Sequence, residues 1–355
     1  MRRFRFIAVA AAALLLSILV WYGLDVKSKA RGDRESWFRM KGVVLSVDDL
    51  ASVSWPEIAK KYGINTIGTH ITPSQVREFI QSARGKEFLE KCDSYGIDVE
   101  HQLHAMGELL PRSLFEKDST MFRMDESGRR VPDFNCCAHS EAALETIASN
   151  AAVLARALPA TNHRYYYWLD DNSLPCFCPE CRDLNASDQA LLIENRMLEA
   201  IRSVDPQASL AHLAYQHTMI PPEKVKPSEG IFLEFAPIER QWDRPLKDLD
   251  APGRKGRMSH KTVLEMLDAN LKVFPPESAV VLEYWLDVSL ASGWKKPAVD
   301  LPWHPEVFVS DLDVYKGRGI RNVTSFAVYM DSVYFESFPI QKGLSDFGTV
   351  LGVYR

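Results

Sequence analysis

The chain has 355 residues, 46% hydrophobic and 25% charged, which is ordinary for a globular protein and ample for a large core. A formal net charge of −5 argues against nucleic acid as a partner. Eight tryptophans and twelve tyrosines suit stacking on sugar faces, although such rings fill cores as well.

The first five residues include Arg2, Arg3 and Arg5, and the 19 residues 6–24 carry no charge, a length that spans a bilayer. The run is longer than a usual signal h-region, and no small-x-small cleavage site follows it. The expectation is an uncleaved signal anchor over residues 1–24, with a cleaved signal peptide as the alternative, and a polar tether over 25–41. The basic flank places the N-terminus in the cytoplasm and the body, residues 42–355, on the extracytoplasmic side of the membrane.

Residues 42–49 form an apolar run ending in Asp48 and Asp49, a first strand. A helix over 55–62 follows, with Pro56 in its first turn and Gly63 as its C-cap. Residues 64–70 read as a second strand, Ser74 caps a helical stretch, a helix over 86–95 ends at Gly96, and 97–104 is a third strand. A polar excursion over 107–137 is too long for a mere connection. Ser140 caps a helix over 141–157, and the aromatic run 165–169 is a fourth strand. Asp188 caps a helix to residue 204, and fifth and sixth strands occupy 209–215 and 230–236. A charged loop with Arg240, Trp242 and Arg244 leads to a helix over 261–274. Residues 279–285 form a seventh strand, followed by a loop with Trp294 and Trp303, a helix over 305–317 and an eighth strand over 322–329.

Strands alternating with helices mean a parallel sheet, and eight such units fit a single (β/α)8 TIM-type barrel behind the membrane anchor. An open doubly wound sheet would usually bring a Gly-rich phosphate turn after the first strand, and Ser46-Val47-Asp48-Asp49 is not one. No organic cofactor is expected.

In a barrel the carboxyl ends of the strands surround one pocket. Those ends carry Asp48 and Asp49, His70, His101 and His104, Asp170 and Asp171, Tyr215, Glu234, Glu283 with Tyr284 and Trp285, and Tyr329 with Asp331. Singly, each reads as well as a loop-capping or ion-paired residue; together they describe a polar pocket to which neutral sugars are a natural ligand. Paired carboxylates are the equipment of glycoside hydrolysis, one protonated and one charged. Adjacent Asp170 and Asp171 point to different sides if strand geometry continues. Either one of them acts with Glu283 or Glu234 from another strand, or a 2-acetamido oxygen of the substrate attacks while Asp170 holds its N–H and Asp171 protonates the leaving group. The competing reading is that Asp171-Asn172 merely caps a turn.

Cys176, Cys178 and Cys181 have metal-ligand spacing, and Asn135-Cys136-Cys137 offers a fourth thiol, assigned to Cys136. Four thiolates suit a closed structural zinc site; disulfides, favoured in exported proteins, and free thiols stay open as alternatives. Cys92 reads as a core residue.

The chain resembles bacterial proteins that carry a barrel domain of unknown function, grouped with the glycoside hydrolase TIM barrels. The resemblance rests on Asp125-Glu-Ser-Gly-Arg-Arg through Asn135-Cys136, on Asp170-Asp171-Asn172 followed by C-x-C-x2-C, on Ala214-Tyr215 with Ile220-Pro221-Pro222, and on the stretch from Glu283-Tyr284 to the eighth strand. It implies a barrel in a carbohydrate context. The acid pair is similar to that of O-GlcNAcase and hyaluronidase-like glycosidases, which use substrate assistance, whereas barrel hexosaminidases of the Asp-Glu type carry Glu where this chain has Asp171. The cysteine block is similar to a zinc-binding loop in some barrel β-galactosidases.

Three functions follow as expectations. One is a glycosidase with Asp171 and Asp170, and Glu283 as a further acid, and with His70, His104, Tyr215, Tyr284 and Trp285 against the substrate. A second is a non-catalytic carbohydrate-binding barrel using Trp242, Trp285, Trp294 and Trp303. The third, a metal enzyme built on His70, His101 and His104, lacks ligand spacing on a helix.

Overall fold

The apolar runs become eight short parallel strands: β1 Met40–Ser46, β2 Thr66–His70, β3 Asp98–His104, β4 Arg164–Trp168, β5 Ser209–Ala214, β6 Ile231–Phe235, β7 Val280–Glu283 and β8 Asn322–Phe326. Each pairs with the next, and β1 closes on β8 with Val44 opposite Phe326, so the sheet is a closed barrel in sequence order. This is a computed structural model, and it describes residues 36–133, 135–170, 174–339 and 341–355. The expected anchor, most of the tether and Asp171 lie outside the described residues. Among the described residues no helix is long and apolar enough to cross a membrane.

Val44, Tyr166, Trp168, Ala211, Phe232, Val280 and Leu282 pack together as a buried cluster in which alternate residues of the strands meet. That alternation sets which side chains face the barrel axis and which face the helices. The inner face is crowded at β1: a Cβ on Gly42 would lie 2.7 Å from Thr324 Cγ2. The last helix, Lys342–Val353, crosses Trp55–Tyr62 so closely that a Cβ on Gly348 would stand 1.6 Å from the Tyr62 carbonyl oxygen.

Several helix starts differ from the sequence reading; the helix expected over 86–95 begins at Ala83, capped by Ser82. The helix Pro73–Gln81 is capped by Thr72, whose hydroxyl takes Gln75 N–H, so Ser74 already lies inside it. Asn185, not Asp188, caps the helix Ala186–Arg202; Asp188 stands three residues on and completes a capping box. Its other oxygen, Oδ1, accepts from the backbone N–H of Glu223, Lys224 and Val225 at 3.0, 2.8 and 2.8 Å, pinning the β5–β6 loop. Asp49 is likewise spent locally. Ser46 and Asp49 form a capping box on the helix Val47–Ser52, which turns the first strand's acids into an N-terminal cap.

Candidate functional site

The carboxyl ends of β2 to β8 enclose a cavity of about 320 Å³, walled by His70, His104, Trp168, Tyr215, Tyr284, Phe326 and Tyr329. Beside it lies a second cavity of about 470 Å³, walled by Trp242, Trp285 and Trp303 from the loops after β6 and β7. Tyr284 and Asp287 line both. Trp294, 60% exposed, stands on the wall of the inner cavity.

Trp168 forms part of the inner wall and is held from below. Its Nε1–H donates to Glu234 Oε2 at 2.7 Å. Glu234 is fully buried, its Oε1 has no partner among the described residues, and burial pushes its pKa up to about 8, which favours the neutral acid that orients the indole. His70 and His104 stand at 5.5 and 5.2 Å from the Trp168 ring and 5.3 Å from each other. His70 Nδ1 lies 2.9 Å from the Gln102 carbonyl, which can only accept, so Nδ1 carries the proton and Nε2 is left as an acceptor. Burial, with His104 adding to it, lowers the His70 pKa to about 3 and keeps the ring neutral.

Asp287 is the acid of the shared wall. It caps the short helix Val288–Ala291, and its Oδ1 accepts from Ser289 Oγ at 2.6 Å and Leu290 N at 3.1 Å. Burial outweighs those hydrogen bonds and pushes its pKa up to about 6. Nothing in the sequence reading singled it out, although Asp-x-Ser four residues past β7 is a recognisable cap signal.

Asp170, past the end of β4, lines neither cavity. Its carboxylate pairs with Arg112, and its N–H donates to Asn135 Oδ1 at 2.8 Å. Both partners come from the excursion after β3.

Glu283 corrects an expectation. With Leu282 facing the axis, Glu283 faces the helices, where Tyr315 donates to its Oε1 at 2.5 Å and Arg240 Nε lies 3.6 Å away. It cannot oppose an acid across the pocket. Arg240 is fully buried and gives its guanidinium to Asp311, Nη1 to Oδ2 at 2.8 Å. The same oxygen takes the Trp285 indole N–H at 3.0 Å, so Trp285 reaches the outer cavity as a wall braced from behind. Asp311→Ala should leave Arg240 buried with only the more distant Glu283, at a cost of about 3 kcal/mol or more. Urea unfolding followed by tryptophan fluorescence measures it, and a loss under about 1 kcal/mol contradicts the brace.

His101 turns away as well, pairing through Nδ1 with Thr69 Oγ1 at 2.8 Å. Asp331 caps the helix Ser332–Ser337 and pairs with Lys296. The three histidines therefore do not assemble.

The Sγ atoms of Cys137, Cys176, Cys178 and Cys181 lie within 4.8 Å of one another, all buried, a set compatible with a structural metal. The fourth thiol is Cys137 and not Cys136. Cys136 sits in an antiparallel bridge with Phe122, and the next residue along the chain turns its side chain the other way, into the cluster. The sulfur of Cys137 stands 3.7 Å from that of Cys178 and 3.9 Å from that of Cys181, far beyond a bond of about 2.05 Å, and none of the six cysteines is in a disulfide. Donors surround the sulfurs: Met124 N–H at 3.2 Å and Arg130 Nη1 at 3.7 Å from Cys176, and His139 Nδ1 at 3.2 Å from Cys181. Gln189 holds the loop itself, accepting from Cys176 N and donating to the Cys176 and Cys181 carbonyls.

Residues 55–264 match the family model described as Domain of unknown function (DUF4838). The chain belongs to this family. The matched region holds the cysteine cluster, Asp170 and the β6 loop, while Asp287 and Trp303 lie beyond it. No curated protein matches the chain. Among solved structures it is similar to a glycoside hydrolase family 20 β-N-acetylglucosaminidase, at 11% identity over 88% of this chain and 69% of that one, with a TM-score of 0.45. It is similar also to a GH5-4 broad-specificity endoglucanase from an uncultured bacterium, at 11% identity over 85% of each chain, TM-score 0.48. A third is a GH18 chitinase from Pseudoalteromonas aurantia, at 7% identity over 81% and 93%, TM-score 0.44. These likenesses lie in the path of strands and helices; the barrel itself is established by the chain's own strand pairing.

Proposed function

We propose that this DUF4838 chain is a glycoside hydrolase-like protein that binds a carbohydrate across its two cavities and cleaves it at their junction. The observation that carries this is that two aromatic-walled cavities meet at one buried acid, Asp287, beside Tyr284. Aromatic faces suit pyranose rings, and a chain lying through both cavities would carry a glycosidic bond past a carboxyl whose pKa burial pushes up to about 6. In the finer reading the substrate is an N-acetylhexosaminide. Its acetamido oxygen attacks the anomeric carbon, the leaving oxygen takes the proton of an acid, and water then opens the cyclic intermediate. Asp170, which lines neither cavity, would have to leave Arg112 to orient the acetamido N–H. The proton would come from Asp287 or from Asp171.

A panel of chromogenic N-acetylhexosaminides and neutral glycosides tests this on the full chain. Loss of turnover in Asp287→Asn but not Asp171→Asn assigns the proton to Asp287, and the reverse assigns it to Asp171. Turnover retained in both, or no affinity for any oligosaccharide, removes the reading.

A second reading, a barrel that binds glycans without cleaving them, is favoured by the ion pair on Asp170 and by Glu283 lying behind its strand. It predicts binding that survives Asp287→Asn with no substrate cut.

The four-cysteine cluster fits tetrahedral zinc. Four sulfurs about 2.3 Å from a zinc ion stand about 3.8 Å apart along the tetrahedron's edges, beside separations here of 3.7 and 3.9 Å. Arg130 and the N–H donors offset the negative charge that four thiolates would bring. Residues 1–24 are proposed to anchor the barrel on the extracytoplasmic face of a membrane.

A further inference from the structure

The loop after β6 folds back over the outer cavity and brings a cluster of positive charge that the hydrolysis of a neutral sugar would not need. Gly253-Arg254-Lys255-Gly256-Arg257 places three cations in succession. Glu239 fixes the loop, accepting Arg254 N–H on its carbonyl at 2.7 Å and Arg257 Nη1 on its carboxylate at 2.8 Å. Arg257 is thereby occupied. Arg254 and Lys255 line the cavity, and among the described residues neither forms an ion pair.

Both are held for display. The Arg254 guanidinium lies 3.5 Å from the centre of the Trp242 ring, a stacking contact that fixes its plane while leaving its N–H edge available. Burial and the neighbouring Arg257 push its pKa down, and no carboxylate counters them. Lys255 has φ +52°, a conformation an L-residue adopts at a cost, in the residue that presents an exposed ammonium to the cavity. Beneath it the Trp242 Nε1–H is buried and has no hydrogen-bond partner among the described residues. The acids nearby do not cancel this set. Asp287 is turned into its own helix cap, its Oδ1 accepting from Ser289 Oγ and Leu290 N–H. Asp243 is exposed, and its charge acts on Arg240 as well.

Resting on the carbohydrate reading above, we infer that the outer cavity accepts a sugar unit bearing an anionic substituent, a carboxylate or a sulfate ester, bound by Arg254 and Lys255 beside the Trp242 indole. A planar guanidinium matches the oxygen pair of either group, and the ammonium supplies a second point of charge. Stacking by Trp285 and Trp303 would hold the ring itself.

Calorimetric titration of the full chain with three oligosaccharides of equal length tests this: a neutral glucan, an oligouronide and a sulfated oligosaccharide. At least one anionic class should bind about tenfold tighter than the neutral one at low salt, with the advantage shrinking as salt rises, since partly exposed charges are screened. Which anionic arm shows the preference separates carboxylate from sulfate. Lys255→Gln, an exposed change that the fold tolerates, should cut the ratio of anionic to neutral affinity by about threefold, and Arg254→Gln by about tenfold. Equal affinity for neutral and anionic chains, or a preference untouched by both variants, overturns the inference and leaves the carbohydrate reading standing. Failure of all three oligosaccharides to bind overturns both.

Discussion

Cys181→Ser is expected to abolish metal binding and to destabilise the barrel more than any other single change proposed for this chain. The wild-type chain should carry about one zinc per molecule by elemental analysis, and the variant close to none, because a closed tetrahedral site holds poorly with three thiolates. The loss of stability should exceed about 4 kcal/mol, in the range where loss of a metal or a disulfide accounts for single mutations. The reason lies in what the cluster joins. Cys137 belongs to the excursion after β3 and the other three to the loop after β4. The two segments are also joined by hydrogen bonds, among them Phe177 N–H to the Met124 carbonyl at 2.9 Å. Freed, the excursion would also release Arg112 and Asn135 from Asp170. Cys136→Ser is the control: its thiol is buried beside the cluster but outside it, so the metal should stay, with a loss of about 1–3 kcal/mol for placing a hydroxyl in an apolar pocket. Zinc-free wild-type protein, or zinc retained by Cys181→Ser, contradicts the assignment.

Asp287→Asn should lower kcat/KM on a cleaved glycoside by about 10²- to 10⁴-fold if Asp287 is the proton donor. Its protonated form would be the active one, so the wild-type rate should fall as pH rises through about 6, and the variant should lose that limb. Stability follows pH in the same direction. A carboxyl whose folded pKa, about 6, is raised above the unfolded value of 3.8 favours the folded state below pH 4, and that contribution is lost as pH climbs through 6. Asparagine keeps the acceptor for Leu290 N–H and has no charge to bury, so at pH 8 the variant should be as stable as wild type or up to about 3 kcal/mol more stable. A variant that is inactive and folded at pH 8 identifies a chemical role; one that is inactive because it unfolds at pH 8 does not, and would contradict the burial of Asp287.

Much of the barrel was written locally. The helix Trp55–Tyr62 begins with Pro56 near its start and ends at Gly63 in a left-handed conformation, and the helix Glu141–Ala157 starts at Ser140, as their sequences imply. His70, His104, Tyr215 and Tyr284 were legible as pocket residues because a parallel barrel brings every strand's carboxyl end to one mouth. Asp287, Arg112 and Arg254 were not, since each sits in a loop whose path depends on distant partners: Asp287 on the turn past β7, Arg112 on the cysteine-tied excursion, Arg254 on Glu239 and Trp242.

The sequence by itself determined that eight apolar runs would alternate with amphipathic helices, and that a C-x-C-x2-C block would have further thiols upstream at Cys136 and Cys137. Only the tertiary structure decided the facing of individual residues. Barrel strands are buried on both sides, so they carry no polar alternation from which to read the inner face. In β7, Leu282 and Glu283 are both fully covered, and it is Arg240 and Tyr315, packed behind the strand, that draw Glu283 outward and leave the cleft to Asp287. The same ambiguity separated Cys136 from Cys137: adjacent, both buried, and told apart only by the side of the Phe122 bridge on which each sulfur falls.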